Sequence, residues 1–381
     1  MSDNQSPNED QTMVFEITPT PRVRRSPYFE ATVADGVRSF QSYNHMLMPT
    51  GYGDPMAEYW RLIEGVAMWD VAVERQVEVT GPDAAKLVQI LSPRKLDNLK
   101  TGAGWYVAIC DHRGTIINDP ILLKLAEDRY WFSIADGDLC LFARAIAAER
   151  ELDVSVFEPD VAPLAIQGPK AEDVVADLLG DEIRAIRHFR FVETMLDDIQ
   201  LMVARSGWSK QGGFELYLID PGRGVELWNR VKEAGKPYGI GPGTPNSMER
   251  VESGLLSWGG DTDDETNPFE VRMERYVHLD APDDVVGMQA LRRIWQAGPA
   301  RHQMGIIMHI EGKLSQIDSW SSITVDGTLI GHVTAHTWSP RLETNIGLCL
   351  VGRAYGPGTK VFVALPDGRT AEGEIRELPF L

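Results

Sequence analysis

Cysteine is scarce in this chain of 381 residues: only Cys110, Cys140 and Cys349 are present, far apart and odd in number. No C-x-x-C pair occurs, so neither a disulfide framework nor a structural zinc site is expected. Long apolar runs are missing as well. None reaches the roughly 18 to 20 residues that span a bilayer, and the polar start MSDNQSPNEDQTM is not a secretory leader. The expectation is a cytoplasmic protein with no membrane partner. Cations are outnumbered, 37 Lys plus Arg against 56 Asp plus Glu, for a formal net charge of -19. A surface of that sign repels phosphate backbones, so nucleic acid is not an expected partner. Acidity alone does not specify a cationic substrate, because solvated acidic surfaces are common. The motifs H-E-x-x-H, G-x-x-x-x-G-K-[ST], G-x-S-x-G and the EF-hand loop are all absent. The eight histidines are dispersed, with no second ligand at helical or loop spacing, and no metal is expected.

What is present suits a globular protein of two or three domains. Hydrophobic residues make up 43% and charged residues 24%, and the chain exceeds the length at which single cores stop growing. Residues 1–24 are polar and aperiodic and read as a mobile arm. SFQSYNHMLMP is strand-like, a helix is expected around Asp54 to Glu64, and WDVAVERQVEVTG alternates as a half-buried strand. GPDAAKLVQILS predicts a helix with Ala84, Leu87, Val88 and Leu91 on one face. A strand pair follows around a turn at Asp111 to Gly114. Strand, Gly-Pro, helix recurs at residues 164–179, with the second helix expected over Glu172 to Leu179, which implies two related α+β lobes. Gly239 to Gly243 reads as a loop before a helix, since Pro242 removes a donor that phosphate cradling would use. Asn246 is placed to cap that helix with Glu249 three residues on, and Met248, Val251, Leu255 and Leu256 are expected inward. After Pro299 short strands with Asp-Gly turns at 326–327 and 367–368 predict a small barrel-like domain. The domain division expected is 1–24, 25–297 and 298–381.

The segment Arg205 to Tyr217, RSGWSKQGGFELY, is the most suggestive chemically. A glycine-flanked loop presents Trp208, and strand alternation sends Glu215 and Tyr217 to one face. A carboxylate between aromatic rings suits a nitrogen heterocycle or a methylated cation. Ordinary packing aromatics beside a solvated Glu215 would give the same pattern, and spacing alone leaves both open.

The stretches MWDVAVERQVEVTGPDA, WYVAICDHRGTIINDPILLKL, LAIQGPKA, SGWSKQGGFELYL, SMERVESGLLSWGGDTDDETNPFEV and GHVTAHTWSPRLETNIGLCLV run in an order that resembles the glycine cleavage T-protein (aminomethyltransferase) family. YNHMLMPT, EYWRLIEGVAMWDVAVERQVE, the NDP at 118–120 and SGWSKQGG are most similar to its branch that demethylates dimethylsulfoniopropionate. The resemblance implies folate-binding α+β lobes around a central cavity, then a C-terminal β-barrel. It implies transfer of a methyl group from a small sulfonium zwitterion to tetrahydrofolate as co-substrate, with oligomeric state left open. It assigns Glu215 to the pterin edge and Asp119 to the reacting nitrogens as the catalytic group. Tyr106, Phe189 and Arg250 fall at folate-side positions, and Trp208 and Tyr217 at the substrate side. Three departures stand out. Asn118-Asp119 replaces an Asp-Asp pair, Gly207 to Gln211 replaces G-Y-T-G-E, and the family's arginine near the C-terminus, which steadies the folate tail, is not evident in IRELPFL. Another folate-dependent transferase or a folate-binding assembly protein are the alternatives. VVGMQALRR lacks the K-G-C-Y-x-G-Q-E motif of the assembly branch.

Overall fold

The computed structural model describes residues 20–315 and 319–381. The expected arm lies outside the described residues up to position 19. Arg24, at its end, is already tied down: its backbone N–H donates to His45 O at 2.7 Å, and Leu47 N–H returns to Arg24 O.

Two sheets and a barrel carry the architecture. The first sheet has five antiparallel strands in the order Ser155–Phe157, Gln76–Thr80, Arg129–Ser133, Ile121–Ala126, Ala103–Tyr106. The second has six, in the order Phe191–Leu196, Ile199–Ala204, Gly213–Leu218, Ala162–Gln167, Ala67–Asp70, Gly241–Gly243. Only its last pairing is parallel. Each sheet packs helices on one face. Ala84–Leu91 and Leu139–Glu149 share a core with Val77, Val79 and Phe132. Ala171–Leu179 and Gly224–Gly235 cover the second sheet over Phe214, Leu216 and Leu218. The other faces meet through Leu123 and Trp131 of the first sheet against Phe191, Met202 and Tyr217 of the second. Side chains alternate along a strand, so residues 215 and 217 point away from the helices, toward the neighbouring sheet.

Local chemistry explains the elements. Asp54 accepts from Met56 N and Ala57 N at 3.1 and 2.9 Å, with Pro55 opening the helix Pro55–Glu64, a strong start signal. Ala84, Leu87, Val88 and Leu91 are all buried as the periodicity requires. The repeated strand, Gly-Pro, helix units share a backbone reason. Gly81 (φ +130) and Gly168 (φ +123) occupy a conformation closed to side chains, and a Cβ there would meet backbone at 2.7 and 2.5 Å.

Three readings require correction. WDVAVERQVEVTG is not one strand but two, Ala67–Asp70 and Gln76–Thr80, in different sheets. Asp70 accepts from Ala72 N and Glu74 N donates to Val71 O, so the chain turns between them. Gly241–Gly243 is a short strand rather than only a loop. The helix Ser247–Glu252 is capped by Asn246 as expected, yet it buries Glu249, Arg250 and Glu252 beside Val251, while Met248, Leu255 and Leu256 are only half-buried. Apolar periodicity cannot register a helix whose polar side is enclosed by neighbours.

Six strands from Arg301–His309 to Thr370–Arg376 close into a barrel. Asp326 and Gly327 both have positive φ at its tightest hairpin, the I′ geometry that Asp-Gly favours. The barrel docks on the helix Ser247–Glu252. Val251 packs on Ala335, Ile346 and Leu348, and fully buried Glu252 accepts from Tyr59, Ser339 and Arg341. Among the described residues no helix is long and apolar enough to cross a membrane.

Candidate functional site

The helix-free face between the sheets collects carboxylates. Glu215 leaves the strand Gly213–Leu218 and is buried; its Oε2 accepts from Ser206 Oγ and, at 3.2 Å, from Tyr217 OH. Among the described residues no side chain or peptide donates to Oε1. Burial raises its carboxyl from the ordinary value, and the two hydroxyls pull it partly back. A buried carboxylate with one oxygen satisfied and the other open is an acceptor waiting for donors. The solvated reading of Glu215 is therefore excluded.

Asp119 ends the short strand Ile116–Asn118, half-buried, and takes a 2.6 Å bond from Tyr106 OH on Oδ2. Burial pushes its carboxyl up to about 7, against the pull of that hydroxyl, with Asp261 adding to the rise. Tyr106 stands edge-on to Tyr276 at 5.0 Å and lies 3.9 Å from Met273 Sδ.

Between these two sits a residue that the sequence reading missed. Glu74 occupies the turn joining the two sheets, and its carboxyl is pushed well above the carboxylate range by burial first, then by Glu215 and Asp119. Tyr43, from the hairpin Ser39–Tyr43 and Met46–Gly51, feels both Glu74 and Asp119. The hairpin tip is pinned where it closes over this face: Asn44 Nδ2 donates to Val73 O at 2.9 Å, and Gly137 N donates to Asn44 Oδ1 at 2.9 Å. The one signal for Glu74 was a charged Glu74-Arg75 pair inside an otherwise apolar alternation, which strand counting absorbed.

Asn118, where an acidic residue was the comparison, is fully buried and pairs twice with the backbone of one residue: Nδ2 donates to Ala135 O and Oδ1 accepts from Ala135 N, both at 3.1 Å. A carboxylate can accept but not donate. Asn118→Asp therefore removes one of two donors to the Ala135 carbonyl, which keeps the 3.2 Å bond from Asn44 Nδ2, and is expected to destabilise the fold by about 1 kcal/mol, read as a lowered urea midpoint at unchanged m-value.

Trp208 is half-buried in a loop fixed from two sides. Gln167 donates to Ser206 O at 3.1 Å and accepts from Ser209 Oγ at 2.8 Å. Glu249 accepts from Lys210 N and Gln211 Nε2, each at 3.0 Å. Among the described residues Glu249 closes no box with Asn246: Oε1 is taken by the loop and by Ser253 Oγ, and Oε2 has no partner. Gly207 and Gly213 allow the close approach: a Cβ on Gly207 would lie 2.0 Å from Gln167, and one on Gly213 2.3 Å from Ile166 O. Arg250 stands with its guanidinium carbon 6.0 Å from the Trp208 ring centre. It is neutralised by Asp261 at 2.5 Å, which also accepts from the barrel's Thr334 at 2.8 Å. Phe189, half-buried at φ +57, ties the sheets together: Gly104 N donates to its carbonyl at 2.8 Å, and its own N–H reaches Arg205 O at 2.9 Å.

Glu215 and Tyr217 are thus brought together, as are Tyr106 and Asp119, with Glu74 linking the two pairs. Trp208 and Arg250 form a third group. Tyr217 is fully buried against Trp131, centroids 6.2 Å apart, and its hydroxyl is bonded to Glu215, so its nearest chemical partner is that carboxylate. Ser206 was also missed; it was visible only as the residue before Gly207.

The sequence matches the GCVT N-terminal domain over residues 28–281 and the glycine cleavage T-protein C-terminal barrel domain over residues 301–381. A dimethylsulfoniopropionate demethylase of Ruegeria pomeroyi is 43% identical over 92% of this chain and 96% of that protein. An aminomethyltransferase of Symbiobacterium thermophilum is 30% identical over 94% of this chain and 97% of its own length. In three dimensions the chain is similar to the glycine cleavage system aminomethyltransferase T from Bartonella henselae, with a TM-score of 0.82 at 24% identity, covering 94% of this chain and 98% of that one. That likeness is one of fold.

Proposed function

The chain belongs to the glycine cleavage T-protein family, and from that membership we propose that it demethylates dimethylsulfoniopropionate, passing one S-methyl group to N5 of tetrahydrofolate. The products are 5-methyltetrahydrofolate and methylmercaptopropionate. The observation that carries the reading is a buried acceptor, Glu215 Oε1, on the same face as a carboxyl held near neutrality, Asp119. Donors among the described residues leave Glu215 Oε1 for the paired N–H groups of a pterin edge, so the residues present fit a folate.

Folate, when bound, supplies the nucleophilic nitrogen that takes the methyl group, while the electron pair of the broken S–CH3 bond stays on a neutral thioether. The leaving group needs no acid. The protein's tasks are alignment, worth roughly 7 to 11 kcal/mol when reacting atoms are held near attack distance, and care of one positive charge. Asp119, aimed by Tyr106, stabilises the cation and accepts its proton. Glu215, braced by Ser206 and Tyr217, fixes the ring. Arg250 supports Trp208 in its loop, and Phe189 seals the seam between the sheets. Trp208 offers an aromatic face to the sulfonium, an attraction of about 0.5 to 2 kcal/mol for a desolvated cation.

The test is a panel of methyl donors with tetrahydrofolate: the sulfonium is expected to yield 5-methyltetrahydrofolate, and aminomethyl-lipoyl protein, methylamines and aryl methyl ethers are not. Turnover of one of those in place of the sulfonium would overturn the proposal. A second outcome concerns binding. Calorimetry should show tighter binding of the sulfonium than of its uncharged thioether product, and Trp208→Leu should narrow that difference; an unchanged difference would remove Trp208 from the substrate side.

A further inference from the structure

Two cations near Tyr106 have no role in the chemistry above. Arg94 lies just past the helix Ala84–Leu91 and donates from Nη1 to Tyr106 O at 2.8 Å. Its guanidinium carbon is 4.1 Å from the centre of the Trp105 ring and 5.2 Å from that of Tyr276. Arg275 approaches Tyr276 at 4.7 Å. Tyr276 in turn meets Tyr106 edge-on, and Tyr106 holds Asp119. The order from reaction centre to surface is therefore Asp119, Tyr106, Tyr276, then the two arginines.

Acids outnumber bases by 56 to 37 in this chain, yet among the described residues neither guanidinium is paired with a carboxylate. Arg94 is half-buried and spends one of its five N–H groups on a peptide oxygen; the others keep the fork that suits a carboxylate. Burial lowers its guanidinium from the ordinary value, the mark of a cation lacking a counter-charge. Arg275 is exposed and can meet a flexible anion without rearrangement.

We propose that Arg94 and Arg275, flanked by Trp105 and Tyr276, form a carboxylate-docking ledge that holds the glutamyl end of the folate co-substrate. The inference rests on the folate reading of the site. The spacing selects between the two carboxylates that could arrive. A propionate two carbons beyond the sulfonium ends close to the reacting methyl group. The ledge lies two aromatic contacts beyond Asp119, on the scale of a folate's aminobenzoyl ring, which would lie along Tyr276 and deliver its glutamate to the arginines. Tails of several glutamates would continue outward past Arg275.

Calorimetry tests this without turnover. Wild-type protein is expected to bind tetrahydrofolate at least about tenfold more tightly than tetrahydropteroate, which lacks glutamate, as for hydrogen bonds to a charged group, and salt should narrow the gap. Arg275→Gln, on the surface, and Arg94→Gln should each shrink the gap to about threefold or less, with tetrahydropteroate and dimethylsulfoniopropionate affinities unchanged in Arg275→Gln. Equal binding of the two pterins by the wild type, or a gap untouched by both variants, overturns the ledge. Loss of sulfonium affinity with an intact pterin gap overturns it too, by assigning the arginines to propionate. Failure to bind either pterin sinks the folate reading and the ledge together, whereas an intact glutamate preference without methyl transfer sinks only the donor assignment.

Discussion

Asp119→Asn is expected to slow methyl transfer by about 10²- to 10⁴-fold, the range for losing a positioned general base, with tetrahydrofolate affinity little changed. The amide keeps the shape and still accepts from Tyr106, so the comparison isolates charge. Wild-type turnover should rise with pH through about 7, where the Asp119 carboxyl ionises, and the variant's residual rate should lose that dependence. Stability must move the opposite way. The folded carboxyl titrates near 7 and an unfolded aspartate near about 3.9. As pH rises from about 4 the unfolded chain releases this proton and the folded chain does not, so the stability present below that range is lost by about pH 7. Asp119→Asn abolishes the loss. Urea unfolding should show the variant gaining on wild type by a few kcal/mol between about pH 4 and pH 7 and by nothing further above. A variant with wild-type turnover would show that Asp119 does not face the reaction.

Glu215→Ala should weaken tetrahydrofolate binding by roughly 1.5 to 3 kcal/mol, about ten- to a hundredfold, as expected for hydrogen bonds to a charged acceptor. The bracing hydroxyls of Ser206 and Tyr217 make the carboxylate rigid, and removing it leaves both without their acceptor. Glu215→Gln should recover part of the affinity, because one amide oxygen still accepts. Unchanged affinity in Glu215→Ala would place the pterin edge elsewhere. Neither variant should alter the far-UV circular dichroism, since Phe214, Leu216 and Leu218 anchor that strand from its other face.

Much of this geometry was legible in the amino-acid order for identifiable reasons. Alternation along FELYL places 215 and 217 together, and glycines at 207 and 213 mark a loop pressed on its neighbour. Asp-Gly turns and short strands announced the barrel. What alternation could not show was the break at Val71 to Arg75, because Asp70 and Glu74 turn the chain through local hydrogen bonds while the apolar beat continues. Glu74 was hidden for that reason. Ser247–Glu252 misled in another way: its buried acids and arginine find partners in the Trp208 loop, in Asp261 and in the barrel's Arg341, all outside the helix. Asn118 likewise has a partner, the Ala135 backbone, that only folding brings near.

The most direct test of the central claim follows one carbon. Dimethylsulfoniopropionate labelled with carbon-13 in its S-methyl groups, mixed with excess enzyme and tetrahydrofolate for a single turnover, should give one equivalent of 5-methyltetrahydrofolate carrying the label on N5. An equal amount of methylmercaptopropionate should retain the other labelled methyl. Label appearing in solvent-derived methanol, or thioether formed without labelled folate, would contradict direct transfer from sulfur to nitrogen.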